Sequence, residues 1–143
     1  MSMKIKIKKL DPNAKIASYA HPGDAGMDFF AVERTTISSG ERLGVKTGIS
    51  IEIPDGYVGL FWDKSGIAIN KGLKTLGGVI DAGYRGEIII GLVNLGDAEH
   101  IFEIGDKVAQ MLIQKVEQPE IHMIDELSQT TRGIGGFGST GKS

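Results

Sequence analysis

Residues 135–143 read GGFGSTGKS, and from Gly136 they satisfy GxxxxGK[ST], a pattern whose backbone N–H groups and lysine cradle nucleotide phosphates. The overlapping residues 133–138 satisfy GxGxxG, the pyrophosphate turn of dinucleotide sites. Either motif works only with a strand before it and a helix N-terminus facing the phosphates after it. No residue follows Ser143, so neither is expected to form. The bland expectation for such a Gly-rich terminus is disorder. Two features resist it. Phe137 is a large apolar residue with no evident core partner, and Arg132 and Lys142 stand where no Asp or Glu occurs after Glu126.

Four earlier clusters share this look, each a turn-like group of Gly with Asp, Ser or Gln. They are Asp24-Ala25-Gly26-Met27-Asp28, Lys64-Ser65-Gly66, the run from Gly78 through Ile80, Asp81 and Tyr84 to Glu87, and the run from Gly105 to Gln110. Asp81 opens Asp-Ala-Gly, which suits a turn, and its carboxylate is also able to accept a proton from water. Ser65 and Gly66 fall at an expected helix start, where backbone N–H groups favour an anion. Gln110 offers an amide, or is a strand-end surface residue; Asp28 alone would read as structural.

These residues must be positioned by strands. Residues 4–8 and 49–53 alternate in polarity, and residues 57–62, 87–93 and 107–116 read as buried or half-buried strands. Turn chemistry separates them, as at Pro54-Asp55-Gly56 and Gly105-Asp106. Many short strands, 21 glycines and no long helical stripe predict an all-β jelly-roll or β-barrel fold. One short helix is expected from Ser65 toward Lys71, with Ser65 as its cap. No repeat or internal linker is visible, so residues 1–129 are expected to form the body and residues 130–143 a flexible appendage.

Composition limits the function. At 143 residues, 41% hydrophobic and 24% charged, the chain suits one globular domain. It has no cysteine, which excludes disulfides and thiolate metal sites and makes a cytoplasmic location the expectation. The formal net charge is −2, so a polyanionic ligand must meet local positive charge or a metal ion. No apolar run approaches membrane-spanning length, and the first ten residues lack the apolar segment of a signal peptide. His21, His100 and His122 are scattered without metal-ligand spacing.

In order and spacing, the four clusters together with Arg132-Gly133-Ile134-Gly135-Gly136-Phe137-Gly138-Ser139-Thr140-Gly141 resemble the five motifs of the deoxyuridine triphosphate nucleotidohydrolases, the dUTPases. The resemblance spans about residues 24–141. It implies a jelly-roll homotrimer whose active sites are each assembled from more than one chain. The implied reaction splits dUTP into dUMP and pyrophosphate with Mg²⁺, keeping uracil out of DNA and supplying dUMP for thymidylate synthesis.

The same resemblance implies roles. Asp81 would orient the attacking water, and Tyr84 would pack under the deoxyribose so that a ribose 2′-hydroxyl has no room. The hairpin backbone around Gly78 and Ile80 would read the uracil edge. Lys64, Ser65 and Gly66 would hold phosphates, with Gln110 on the α-phosphate or a metal-bound water and Asp28 near the metal's water shell. The terminus would be a lid, with Phe137 stacked on uracil, Arg132 at the γ-phosphate, and the backbone of Gly138 and Ser139 on the remaining oxygens. One departure stands out: the family's usual Pro-Arg-Ser-Gly reads Asp63-Lys64-Ser65-Gly66 here, so Lys64 keeps the charge but lacks the bidentate fork.

Two alternatives remain. A dCTP deaminase of the same fold needs a glutamate on the following strand, where this chain has Gly91 if Asp81 and Asn94 are aligned; zinc deaminases need cysteine ligands. A non-catalytic nucleotide-binding trimer is favoured only by the altered Asp63-Lys64 pair.

Overall fold

A computed structural model describes residues 2–138. In chain order the strands are β1 Lys6–Lys9, β2 Met27–Phe30, β3 Thr35–Ile37, β4 Arg42–Lys46, β5 Ile49–Glu52 and β6 Tyr57–Trp62. The helix α1 Ser65–Lys71 follows, then β7 Leu73–Leu76, β8 Val79–Ile80, β9 Ile89–Asn94, β10 His100–Phe102 and β11 Lys107–Lys115. Every strand pair described is antiparallel. The strands group as β1-β5, β10-β3, β2-β11-β6-β8 and β4-β9-β7, as expected of a jelly roll rather than a hairpin ladder.

The alternation seen in the sequence is the alternation of burial. Along β9, Ile90, Leu92 and Asn94 are buried while Ile89, Gly91 and Val93 are not; along β7, Leu73 and Thr75 point inward. β2 is buried throughout, and Phe29 meets Phe61 of β6 edge to face with centroids 4.8 Å apart. These residues join Ile37, Ile49, Ile88, Phe102 and Met111 in one apolar core. Two buried polar side chains, Asn94 and Thr47, are tied to backbone. Asn94 Nδ2 donates to Ile37 O and Ala98 O, each at 2.9 Å, and Thr47 Oγ1 donates to Ile88 O at 2.6 Å.

The helix has the expected extent, but its cap is different. Lys64, in an extended conformation, occupies the cap position, no side chain caps the helix, and Ser65 is its first residue. The first intrahelical bond runs from Ala68 N to Lys64 O, which leaves the amides of Ser65, Gly66 and Ile67 ahead of it. Gly72 ends the helix with φ 75°, the left-handed turn that favours glycine.

Candidate active site

Strand β6 carries one half of the site at each end. Gln110 of β11 lies opposite Trp62, and the chain then runs through Asp63 and Lys64 into the helix. At the other end Gly59 pairs with Ile80, and β8 continues away from Trp62 into Asp81. Three strand steps separate Gly59 from Trp62, roughly 10 Å. Asp81 is therefore remote from Ser65, Gly66 and Gln110 within one chain.

The end of β6 at Trp62 is tightly organised. Gln110 Nε2 donates to Asp63 O at 2.9 Å, and a side chain on Gly26 would collide with the Gln110 amide. The first and fourth clusters thus meet, and the glycine is the room that the glutamine occupies. Asp63, unexplained by sequence, ties β6 to β7: its Oδ1 accepts from Thr75 N at 2.7 Å, and Lys74 Nζ lies 3.1 Å from Oδ2. Burial pushes the Asp63 carboxyl up, but the Thr75 amide and the Lys74 ammonium outweigh it and hold the group below its ordinary value. Gly66, in contrast, has no neighbour within 4 Å of the place a Cβ would take. Nothing in the chain's own packing calls for a glycine in this helical turn, where it costs about 1 kcal/mol relative to alanine.

Asp28 lies beneath this end, 2% exposed. Lys107 Nζ is 3.2 Å from its Oδ2, and Lys64 Nζ is 2.8 Å from Oδ1. The Lys64 and Lys107 ammonium groups thus each pair with one oxygen of the buried carboxylate. Burial raises the Asp28 carboxyl, yet the two ammonium groups more than offset this and lower it overall. Its contribution to stability is therefore present above the unfolded carboxylate value and lost as pH falls through the folded one. Asp28→Asn is expected to cost about 2 kcal/mol at pH 7, with a smaller difference from wild type near pH 3.5, measured by urea unfolding at both values. Lys107 is a contributor that sequence reading missed; only its place three residues before Gln110 hinted at it.

The other end is a braced turn. Tyr84 N donates to Asp81 O at 3.1 Å, and Tyr84 Oη donates to Glu87 O at 2.8 Å. Glu87 Oε2 accepts from Gly48 N at 3.0 Å, anchoring the turn to the β4–β5 connection. Gly78, with φ 108°, accepts from Phe61 N at 2.9 Å and so sets the entry to β8, where Ile80 is partly buried. Asp81 is exposed and faces a cleft of about 610 Å³, lined also by Val79, Ala82, Gly83, Tyr57 and Val58.

The terminal arm starts beside the Asp81 cleft, which Val116 and Gln118 also line. Residues 117–134 are exposed throughout, including Ile121, Met123 and Leu127. Arg132 Nε donates to Gly135 O at 2.7 Å, within the arm itself. Phe137 is fully exposed and has φ 51°, the one non-glycine residue with positive φ among those described. Gly138 follows with φ 82°. Ser139 lies outside the described residues.

On β9, the place a deaminase glutamate would take is a glycine with little room beside it. A Cβ at Gly91 would stand 3.0 Å from Leu76 O, inside the β7–β9 pair. Nor does any group of three His, Asp or Glu converge as a metal cage among the described residues.

Comparison with known proteins bears on the family. The dUTPase family model matches residues 12–141. The deoxyuridine 5'-triphosphate nucleotidohydrolase of Clostridium tetani (strain Massachusetts / E88) is 46% identical over 140 residues, covering 96% of this chain and 97% of its own length. That of Thermobifida fusca (strain YX) is 45% identical over 143 residues, covering 98% and 80%. Among solved structures, a point mutant of the phage 80alpha dUTPase has a TM-score of 0.90 at 29% identity, covering 97% of this chain and 99% of that one. The Staphylococcus bacteriophage 80alpha dUTPase with dUPNHPP has a TM-score of 0.87 at 31% identity, covering 96% and 98%. A dUTPase from phage phi11 of S. aureus, described with a structural Mg(II) ion, has 0.82 at 27%, covering 88% and 99%. With the match spanning nearly the whole sequence and the five clusters in the family's order, this chain belongs to the dUTPase family, the deoxyuridine triphosphate nucleotidohydrolases.

Proposed function

We propose that the protein hydrolyses dUTP to dUMP and pyrophosphate in a homotrimer, with each site built from different chains. The observation that carries this reading is the division of β6: Asp81 and Tyr84 stand on a braced turn at one end, the Ser65 and Gly66 amides, Lys64 and Gln110 at the other. One α-phosphorus cannot lie within about 3 Å of groups at both ends, so a second copy must bring its turn to the first copy's phosphate end. The exposed apolar arm, with Ile121, Met123 and Leu127, supports the same assembly, because a neighbouring copy would give those side chains cover.

Asp81 accepts a proton from the water that attacks the α-phosphorus. Tyr84 lies under the sugar, and the backbone at Gly78 and Ile80 meets the uracil edge. The volume of the cleft beside Asp81 falls in the range of small-molecule sites. The open flank of Gly66 lets phosphate oxygens approach the Ser65 and Gly66 amides, and Gln110 supplies an amide beside them. Lys64 leaves Asp28 to meet a phosphate while Lys107 stays behind to neutralise the carboxylate. That movement frees Asp28 Oδ1, the oxygen that Lys64 pairs with, to hold a water. The polar groups here suit a substrate-borne Mg²⁺ kept at one water's distance; when bound, the ion supplies charge neutralisation on the triphosphate. Arg132, from the arm, reaches the γ-phosphate, and Phe137 stacks on the base while Gly138 and Ser139 close over the phosphates.

The test is a nucleotide panel with Mg²⁺. Pyrophosphate is expected from dUTP, with UTP, dTTP and dCTP each slower by on the order of 100-fold or more. Ammonia released from dCTP would restore the deaminase, and UTP hydrolysis at the dUTP rate would remove the role of Tyr84. Binding without any hydrolysis would favour the non-catalytic trimer.

A further inference from the structure

Beside the catalytic turn lies a second cavity of about 360 Å³, lined by residues of β1 and β5 and by none that line the Asp81 cleft. Arg85 lines it. Its Nη1 donates to Ala82 O at 2.6 Å and to Tyr84 O at 3.1 Å, so one guanidinium nitrogen gathers two carbonyls of the Asp81–Tyr84 turn. Its Nη2 lies 3.6 Å from Glu52 Oε1 at the end of β5, and Glu52 Oε2 lies 3.2 Å from Lys6 Nζ of β1. The turn is thus held on one side by Glu87, through Gly48, and on the other by Arg85, through Glu52.

From this double anchorage we infer that Arg85 is a positioning residue: it sets the height of the Ala82–Gly83 backbone and the placement of Tyr84, and so governs the discrimination between deoxyribose and ribose. The physical reason is specific to arginine. Nη1 carries two N–H donors, one for each carbonyl, while the same rigid planar group turns Nη2 toward Glu52. A lysine at this position has the charge but not the fork. Ala82 packs against the core, whereas Gly83 has no neighbour within 4 Å of a Cβ position. The Arg85 bonds add a restraint on the backbone around it. A displacement of about 1 Å at a positioned group costs up to about 100-fold in rate.

The inference rests on the dUTP reading, and the experiment separates the two. Full-length wild type, Arg85→Ala and Arg85→Lys are compared for kcat/KM on dUTP and UTP, for Kd of dUMP and dUpNHpp, and for thermal unfolding. Arg85→Ala is expected to lower kcat/KM for dUTP by about 10- to 100-fold and to reduce the dUTP-over-UTP preference, with Arg85→Lys intermediate. The affinity loss should be the same factor for dUMP and dUpNHpp, because the turn meets the nucleoside. A loss confined to dUpNHpp would make Arg85 a phosphate contact and overturn the inference. So would an unchanged preference with unchanged turnover. If Arg85→Ala does not fold, Arg85→Lys and Glu52→Gln carry the same comparison, each expected to narrow the preference by a smaller factor. Wild type that fails to hydrolyse dUTP would count against the function itself, and the two binding measurements would still decide the place of Arg85.

Discussion

Asp81→Asn is expected to lower dUTP turnover by about 100- to 10,000-fold while leaving the Kd for dUpNHpp within about twofold of wild type. The exchange keeps the size and shape of the side chain and removes only its capacity to take a proton from water. Asp81 lies exposed on a turn closed by its own backbone oxygen and Tyr84 N, not by its carboxylate, so the turn should keep its shape in the variant. Its side chain is absent from the core, and the melting temperature should not move. Single-turnover hydrolysis of dUTP and equilibrium binding of the imido analogue, run side by side, decide the matter. Equal turnover by the variant would place the base elsewhere. A parallel loss of binding would mean that the carboxylate holds the nucleotide rather than activating water.

Removal of the arm after Gln129 is expected to reduce kcat/KM on the order of 1000-fold, because it takes away Arg132 and Phe137 together. The body should survive the cut. Residues 130–134 are exposed, and the hydrogen bonds of Thr130, Arg132, Gly133 and Gly135 stay within the segment. Thermal unfolding and sedimentation should therefore match the full chain. The left-handed backbone of Phe137 supports a role in ligand contact. A bulky residue at positive φ costs free energy, and the exposed ring has no packing to offset it among the described residues. Arg132→Ala alone should retain stacking on the base and lose most of the rate; Phe137→Ala should mainly raise KM. Full activity in the truncated protein would refute the lid.

The two variants report on different copies of the chain if the sites are shared. Mixing Asp81→Asn with the truncated protein, each nearly inactive alone, should then recover activity in mixed trimers, since some sites would combine an intact turn with an intact arm. No recovery after unfolding and reassembly together would favour a site closed within one chain.

Period two and turn residues were enough to place β6, β9 and β11, since an alternating strand announces which side faces the core before any partner is known. The helix was legible for the same local reason, and the five clusters identified the family without coordinates. The sequence could not say why Asp63 precedes Lys64. That answer needed β7 brought alongside β6, where Thr75 N and Lys74 take the carboxylate. Ser65 was the natural cap by residue type, but Lys64, with its extended backbone, holds the cap position, and its side chain pairs with a buried Asp28 that lies 36 positions away. Lys107 and Arg85 were likewise invisible, because a charged residue on a strand or in a turn reads as surface until its partners converge. Local pattern determines elements, as it depends on neighbours along the chain. Which end of β6 each reactive group occupies depends on strand register, and register is settled only when the whole core packs.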